Sequence, residues 1–154
     1  MDGSNPRSTA RFMGHPIHPM LVPYPIAFFT GAFLADLAFL WTGLPFWATA
    51  AAWLIGAGLV GALLAALAGF TDFLGEPRVR ALSTAWLHML GNVTLVVLEA
   101  INLVLRYGDP AAALPSPGVY LSGAGFLLLG FTGWLGGELV FHRRVGVADS
   151  DLAG

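Results

Sequence analysis

The sequence has no cysteine and no lysine, and only 10% of its 154 residues are charged. Without cysteine the chain can form no disulfide, no thiolate metal site, no iron–sulfur cluster and no covalent attachment of c-type haem. Soluble domains carry about 25% charged residues, so the low charge excludes an ordinary water-exposed surface. The formal net charge of −2 also provides no basic surface for nucleic acid.

Apolar residues make up 56% of the chain and concentrate in four segments, at residues 20–41, 45–73, 82–107 and 119–141. Crossing roughly 30 Å of hydrocarbon takes about 20 helical residues, so each segment is long enough to span a bilayer. The sequence therefore predicts an all-α integral membrane protein. Its four-helix transmembrane domain covers 20–141, between an N-terminal segment at 1–19 and a tail at 142–154.

The connections between these segments are short and rich in glycine and proline, which predicts an up-down bundle of antiparallel neighbours. In that topology six of the seven arginines lie at the end that carries both termini, and only Arg106 lies at the other. Because arginine accumulates on the cytoplasmic side of membrane proteins, both termini are predicted to be cytoplasmic.

The first span is expected to start irregularly before about Pro25, because Pro16, Pro19, Pro23 and Pro25 lack the amide hydrogen that a helix needs. No strand of consequence is predicted, and no repeat is strong enough to indicate an internal duplication. Small residues recur along the second and fourth spans, where they favour close helix packing and leave room for a flat cofactor.

Polar residues on the third span give the strongest internal signal. They follow one another at four, four, seven, three and four positions: Thr84, His88, Asn92, Glu99, Asn102 and Arg106. At about 100° per residue they lie within roughly 40° of one line, which predicts one continuous polar stripe facing the bundle interior. The stripe is interpreted either as an interhelical hydrogen-bond ladder or as part of a functional site.

A wider buried polar network is predicted to include carboxylates from the other spans. Its expected members are Asp36, Glu99, Asn102, Arg106, Asp72 and Glu138. For Asp72 a second interpretation is an ion pair with Arg78 or Arg80 at the end of its helix.

The four histidines, His15, His18, His88 and His142, are all predicted at the cytoplasmic end, on three helices. Paired histidines on facing helices are how a bundle holds b-type haem, so haem b is the predicted cofactor. His88 is the expected central ligand because it alone lies well inside a span. His18 is its expected partner, with His142 or His15 as alternatives. A metal ion at the same two residues is a further interpretation.

Other residues are predicted to complete the haem site. Asn92 and Glu138 each lie four positions from a histidine and could orient its imidazole. Arg78 and Arg80 lie at the same predicted level and could pair with haem propionates.

Four segments resemble the bacterial four-span membrane proteins of the family DUF2231: GHPIHPMLVP at 14–23, GFTDF at 69–73, HMLGN at 88–92 and GWLGGELV at 133–140. The resemblance extends over residues 11–147 and implies a multi-pass protein of the bacterial inner membrane. Some members of this family are fused to Rieske-type iron–sulfur domains, which implies a membrane redox setting.

Haem-linked electron transfer is therefore the expected function, with a quinone or a Rieske- or cytochrome-type protein as partner. One alternative is an accessory subunit that uses its polar residues for packing in a larger membrane complex. Another is a metal-ion or proton pathway through His18, Asp36, His88, Glu99 and Asp72. No HExxH or G-x-S-x-G motif is present, so an electron carrier is expected rather than a hydrolase.

Overall fold

Helices form most of the structure, which is a computed structural model that describes residues 5–147. The α-helices are α1 (Ile17–Leu21), α2 (Pro23–Thr42), α3 (Pro45–Gly75), α4 (Pro77–Arg80), α5 (Ser83–Leu105) and α6 (Gly118–Gly137). A π-helical turn, Glu138–His142, continues α6. Two antiparallel strands of two residues each, β1 (Arg11–Phe12) and β2 (His15–Pro16), precede α1. The predicted all-α class is confirmed.

Four stretches of helix within residues 5–147 are long and apolar enough to cross a membrane. They are Ile17–Thr42, Pro45–Gly75, Ser83–Leu105 and Gly118–His142. The four-span prediction is therefore confirmed. The up-down arrangement and the cytoplasmic position of the termini stay predictions.

The first span is interrupted once, at Val22, between α1 and α2. The proline at position 23 has no amide hydrogen to donate, so the regular bonding pattern is broken there. Bonds from Val22 N to His18 O (3.1 Å) and from Ile26 N to Val22 O (3.4 Å) keep the backbone helical on both sides. The irregular part is thus shorter than expected, because helical backbone begins at Ile17.

The helices are delimited by residues suited to turns. Gly43 ends α2 in the left-handed conformation, with φ of 67°, which glycine adopts without steric cost. Pro45 then starts α3, where its missing amide hydrogen is harmless. At the far end of α3, the Glu76 side chain accepts a bond from Arg78 N and so caps α4.

The long helices pack as a closed set, in which α2 contacts α3 and α6, and α5 contacts the same two helices. Phe29, Leu95 and Leu129 form a buried apolar cluster in the middle. Large side chains such as Trp53 and Leu127 point outwards, as expected of a surface covered by lipid.

Residues 5–10 are fastened to the end of α3 by Asp72. Its carboxylate accepts bonds from Thr9 N (2.6 Å), Ala10 N (2.7 Å) and Ser8 Oγ (2.9 Å). Gly146 N also donates to Pro6 O at 2.9 Å, so the segments before the first span and after the last one meet. Asp72 therefore anchors the N-terminal segment, and its predicted membership of the buried network is wrong.

Candidate functional site

Two polar layers lie near opposite ends of α5, with apolar side chains between them. The first contains His18 and His88, here called the histidine pair. The second, here called the charged layer, consists of five buried residues: Asp36, Glu99, Asn102, Arg106 and Ser122.

The histidine pair joins α1 to α5. The two imidazole rings have their centroids 6.2 Å apart, and their planes are nearly perpendicular, at 88°. Both residues are half-buried. His18 is therefore the partner that the sequence predicts for His88.

Each ring of the pair is oriented by a backbone carbonyl of a neighbouring helix. His18 Nδ1 lies 2.8 Å from Ala65 O, and His88 Nδ1 lies 2.9 Å from Thr132 O. A carbonyl oxygen only accepts, so the proton of each neutral imidazole is on Nδ1 and the lone pair is on Nε2. This is the tautomer in which Nε2 can bind a metal.

A glycine lies beneath each ring. A methyl group added at Gly69 would lie 3.0 Å from His18 Nδ1, and one added at Gly136 would lie 3.1 Å from His88 Cε1. Both distances are shorter than ordinary contacts of a methyl carbon. The two imidazoles therefore rest directly on helix backbone.

Asn92 contacts His88, but not in the predicted manner. Its Nδ2 lies 3.3 Å from His88 Nε2 and 2.7 Å from His88 O. The amide thus faces the nitrogen that carries the lone pair, whereas a group that orients a ligand imidazole contacts the other one. Thr132 O performs that role instead.

The other two histidines engage residues outside the histidine pair. His15 is exposed, and its Nδ1 lies 3.1 Å from Met13 O. The side chain of His142 is 73% exposed and lies 2.8 Å from Glu138, as the spacing predicts. Glu138, whose side chain is 25% exposed, pairs with His142 and not with the charged layer, so its assignment to the buried network is wrong.

The predicted propionate partners lie on the exposed surface of the short helix α4. Arg78 contacts the Glu76 carboxylate at 3.1 Å and donates to Asn5 O. Bonds that the Arg78 side chain and backbone donate to the Glu76 carboxylate lower its pKa from 4.5 to about 2. Arg80 is exposed, and its carbonyl accepts a bond from Trp86 Nε1.

Across residues 5–147, no group of three or more His, Asp or Glu side chains is arranged to hold a metal ion. A bare zinc site needs at least three protein ligands. The histidine pair supplies two, which does not suffice for a metal held by side chains alone.

The charged layer is centred on a fully buried ion pair. Arg106 Nη1 and Nη2 each donate to one oxygen of Asp36, both at 2.6 Å, and Arg106 Nε donates to Asn102 Oδ1 at 3.0 Å. Asn102 Nδ2 donates to Glu99 Oε2 (3.0 Å) and to Ser122 Oγ (2.9 Å). Such complete pairing is what a low-dielectric interior demands of charged groups.

The polar stripe on α5 is not continuous, contrary to the sequence-based expectation. Leu95, which is 2% exposed, occupies the inward position between Asn92 and Glu99 and packs with Phe29 and Leu129. This apolar cluster separates the histidine pair from the charged layer. In the sequence, the cluster corresponds to the gap of seven positions between the polar residues Asn92 and Glu99.

Three parts of the site could not be predicted from the types and spacing of the side chains. The carbonyls of Ala65 and Thr132 belong to backbone that the helix bonds leave available as second acceptors. Ser122 is a lone hydroxyl in an apolar span. Only its distance to Asn102 and Arg106 shows its role.

The model of one protein family matches residues 14–149, and its description is "Predicted membrane protein (DUF2231)". No curated protein matches the chain, and no solved structure matches it. Since the family model covers far more than half of the sequence and its description agrees with the four spans, the chain belongs to the DUF2231 family of predicted membrane proteins.

Proposed function

We propose that this protein binds one haem b between His18 and His88 and carries electrons within the membrane. The observation that carries the proposal is the pair itself. Two imidazoles from different helices have their centroids 6.2 Å apart, and both have Nδ1 fixed by a carbonyl.

The number of ligands suits haem better than a bare metal. A porphyrin supplies four nitrogens to its iron, so the protein needs to add only axial ligands. The separation suits it as well. Metal–nitrogen bonds of about 2 Å, with each centroid about 1 Å behind its bonding nitrogen, would put two imidazoles that hold one metal atom about 6 Å apart.

When bound, haem supplies reversible one-electron chemistry. The chain's own residues hold the ligand tautomer through Ala65 O and Thr132 O, and the glycines at 69 and 136 keep methyl groups away from the rings. The partner would be a membrane quinone or a separate Rieske- or cytochrome-type protein. We place this activity at the cytoplasmic side of a bacterial inner membrane.

The alternative of an ion or proton pathway is less favoured. Such a pathway needs a continuous polar route, whereas Phe29, Leu95 and Leu129 separate the histidine pair from the charged layer.

The test is the absorbance spectrum of the protein purified in detergent from haem-sufficient cells. We expect a Soret band and sharp α and β bands after reduction. Substituting His18→Ala or His88→Ala should remove most of the bound haem, whereas His15→Ala and His142→Ala should retain it. A colourless wild-type protein that also fails to take up added haemin would contradict the proposal and favour a role in packing.

A further inference from the structure

The inward-facing residues of the first span have counterparts on the third span, 70 positions further along the chain. His18 corresponds in this way to His88. The same spacing relates four pairs of buried residues: Pro25 and Leu95, Phe29 and Glu99, Ala32 and Asn102, and Asp36 and Arg106.

The second and fourth spans are related by a spacing of 67 positions. Both contain Leu-x-Gly-Ala-Gly, at 54–58 and 121–125, and both have a glycine eleven positions later, at 69 and 136. Five of the six buried positions of α6 have a buried counterpart in α3: Ala51 and Gly118, Ile55 and Ser122, Gly58 and Gly125, Ala65 and Thr132, and Ala68 and Leu135.

The contacts between helices repeat with the same spacings. The His18 ring bonds to Ala65 O and packs against Gly69. The His88 ring likewise bonds to Thr132 O and packs against Gly136. Nearer the middle of the bundle, the ring of Phe29 fills the space above Gly58, as the Glu99 carboxylate fills the space above Gly125. The correspondence therefore lies in the packing as well as in the sequence.

Two of the corresponding pairs are also direct contacts. His18 meets His88, and Asp36 meets Arg106. A residue that contacts its own counterpart lies beside the twofold axis that relates the halves. Since these contacts lie in two different polar layers of the bundle, the axis runs along the helices. Parallel repeats in membrane proteins have this arrangement.

We propose that the chain consists of two copies of one two-helix unit and that the histidine pair is a symmetric site on their axis. Each imidazole is then an equivalent ligand with its own positioning residue, Gly69 or Gly136. The ligand class follows, resting on the proposed haem function: a planar metal group that takes one imidazole on each face. A metal group held by both imidazoles would have no position left for oxygen or carbon monoxide, so the site would serve electron transfer rather than gas binding.

The test compares glycine variants of the full-length protein reconstituted with haemin. Gly69→Ala and Gly136→Ala should each lower haem affinity by about 10- to 100-fold, because the added methyl group displaces the imidazole from its orienting carbonyl. Gly133→Ala is the matched control, because a methyl group there meets nothing within 4 Å. The wild-type haem should be low-spin by electron paramagnetic resonance and should not bind carbon monoxide when reduced.

A second measurement separates this inference from the haem proposal. In the haem-free protein, nitrogen NMR of labelled histidine should show both imidazoles protonated on Nδ1. Gly69→Ala should disturb the His18 signal, and Gly136→Ala the His88 signal. If no haem binds but these signals behave so, the haem function is wrong and the symmetric positioning stands. If one glycine variant leaves its imidazole unchanged, or reduced haem takes up carbon monoxide, the symmetric site is refuted.

Discussion

His18 and His88 show how a few backbone atoms can define a site that side-chain chemistry only suggests. An imidazole has two nitrogens of similar basicity, and its hydrogen-bond partner decides which one carries the proton. In both residues a carbonyl oxygen takes the Nδ1 proton. Both rings thus have a lone pair on Nε2 before any ligand arrives, which reduces the cost of binding a metal group.

In the charged layer, a single residue, Arg106, makes most of the hydrogen bonds between side chains. Arg106 is 1% exposed, and its guanidinium donates to Asp36, Asn102 and Ser122. The planar guanidinium offers five donors in a fixed geometry, so one residue can connect three helices. A lysine would offer only three donors from a single nitrogen and could not reproduce this arrangement.

Outside the membrane spans, Glu76 gives a prediction about pH. Its bonds with Arg78 lower its pKa in the folded protein from 4.5 to about 2. A carboxyl with a lowered folded pKa stabilises the fold above its unfolded pKa, and this contribution is lost as the pH falls towards the folded value. Glu76→Gln should therefore reduce the loss of stability between about pH 5 and pH 2. The effect should be modest because the Arg78 side chain is 43% exposed, so solvent screens the pair.

Thermal unfolding in detergent at a series of pH values measures this effect. Asp109→Asn is a suitable control, because Asp109 also lies outside the spans and accepts only backbone bonds, from Ala111 and Ala112. Parallel pH profiles for wild type and Glu76→Gln would show that the Arg78 contact does not affect folding.

At the scale of the helices, the glycines of α3 and α6 divide into two kinds. Some lie under a large side chain of a neighbouring helix, as Gly58 lies under Phe29 and Gly125 under Glu99. Others, such as Gly130, face open space. The sequence shows the recurrence of small residues, but it does not show which of them is covered.

Gly125→Ala should therefore destabilise the protein by about 1–3 kcal/mol, the usual cost of overpacking a filled interior. The added methyl group would overlap the Glu99 carboxylate. Gly130→Ala should be neutral or slightly stabilising, because alanine favours helix more than glycine does. The measurement is the unfolding midpoint in a denaturing detergent.

A double variant identifies the cause. Combining Gly125→Ala with Glu99→Ala removes the group that the new methyl would meet, so the two changes together should cost less than the sum of each alone. Additive costs would place the strain elsewhere in α6.

The helices and the α5 stripe were predictable from the sequence because their periodicity reflects burial directly. Apolar length predicts the four spans, and the spacing of Glu99, Asn102 and Arg106 predicts a shared inward face, where all three are buried. The positions of His15 and Asp72 were not predictable. Both depend on how residues 5–16 fold back on the bundle, through backbone bonds that follow no side-chain pattern.

At the scale of the whole molecule, the first and third spans conceal the internal correspondence because they share few residue types. His18 and His88 are identical, but Phe29 corresponds to Glu99 and Ala32 to Asn102. Both halves pack a large side chain against a glycine, but this side chain is apolar in one half (Phe29) and polar in the other (Glu99). Burial and contacts preserve such a relation when residue identity does not.

The Asp36–Arg106 pair places opposite charges at corresponding positions of the two halves, and the effect of this difference can be measured. If two identical halves met, each would place the same charge opposite itself, and like charges in a buried site repel strongly. Opposite charges at corresponding positions instead favour contact between unlike halves, as charge pairs do in other specific interfaces. The buried pair would then determine which unit packs against which, in addition to satisfying its own charges.

Exchanging the two charges tests that role. Asp36→Arg alone brings two guanidinium groups together and should cost about 3–5 kcal/mol, typical of breaking a buried pair. Adding Arg106→Asp restores an ion pair across the axis, and the coupling between the two changes should be about 1–3 kcal/mol in favour of the double variant. Full recovery is not expected, because the counterparts of Asn102 and Ser122 in the first unit are Ala32 and Ile55, which offer the relocated arginine no acceptor.

Unfolding of the single and double variants in matched detergent gives the coupling directly. A double variant as unstable as the sum of its parts would mean that the pair acts only through its local bonds and does not determine how the two halves assemble.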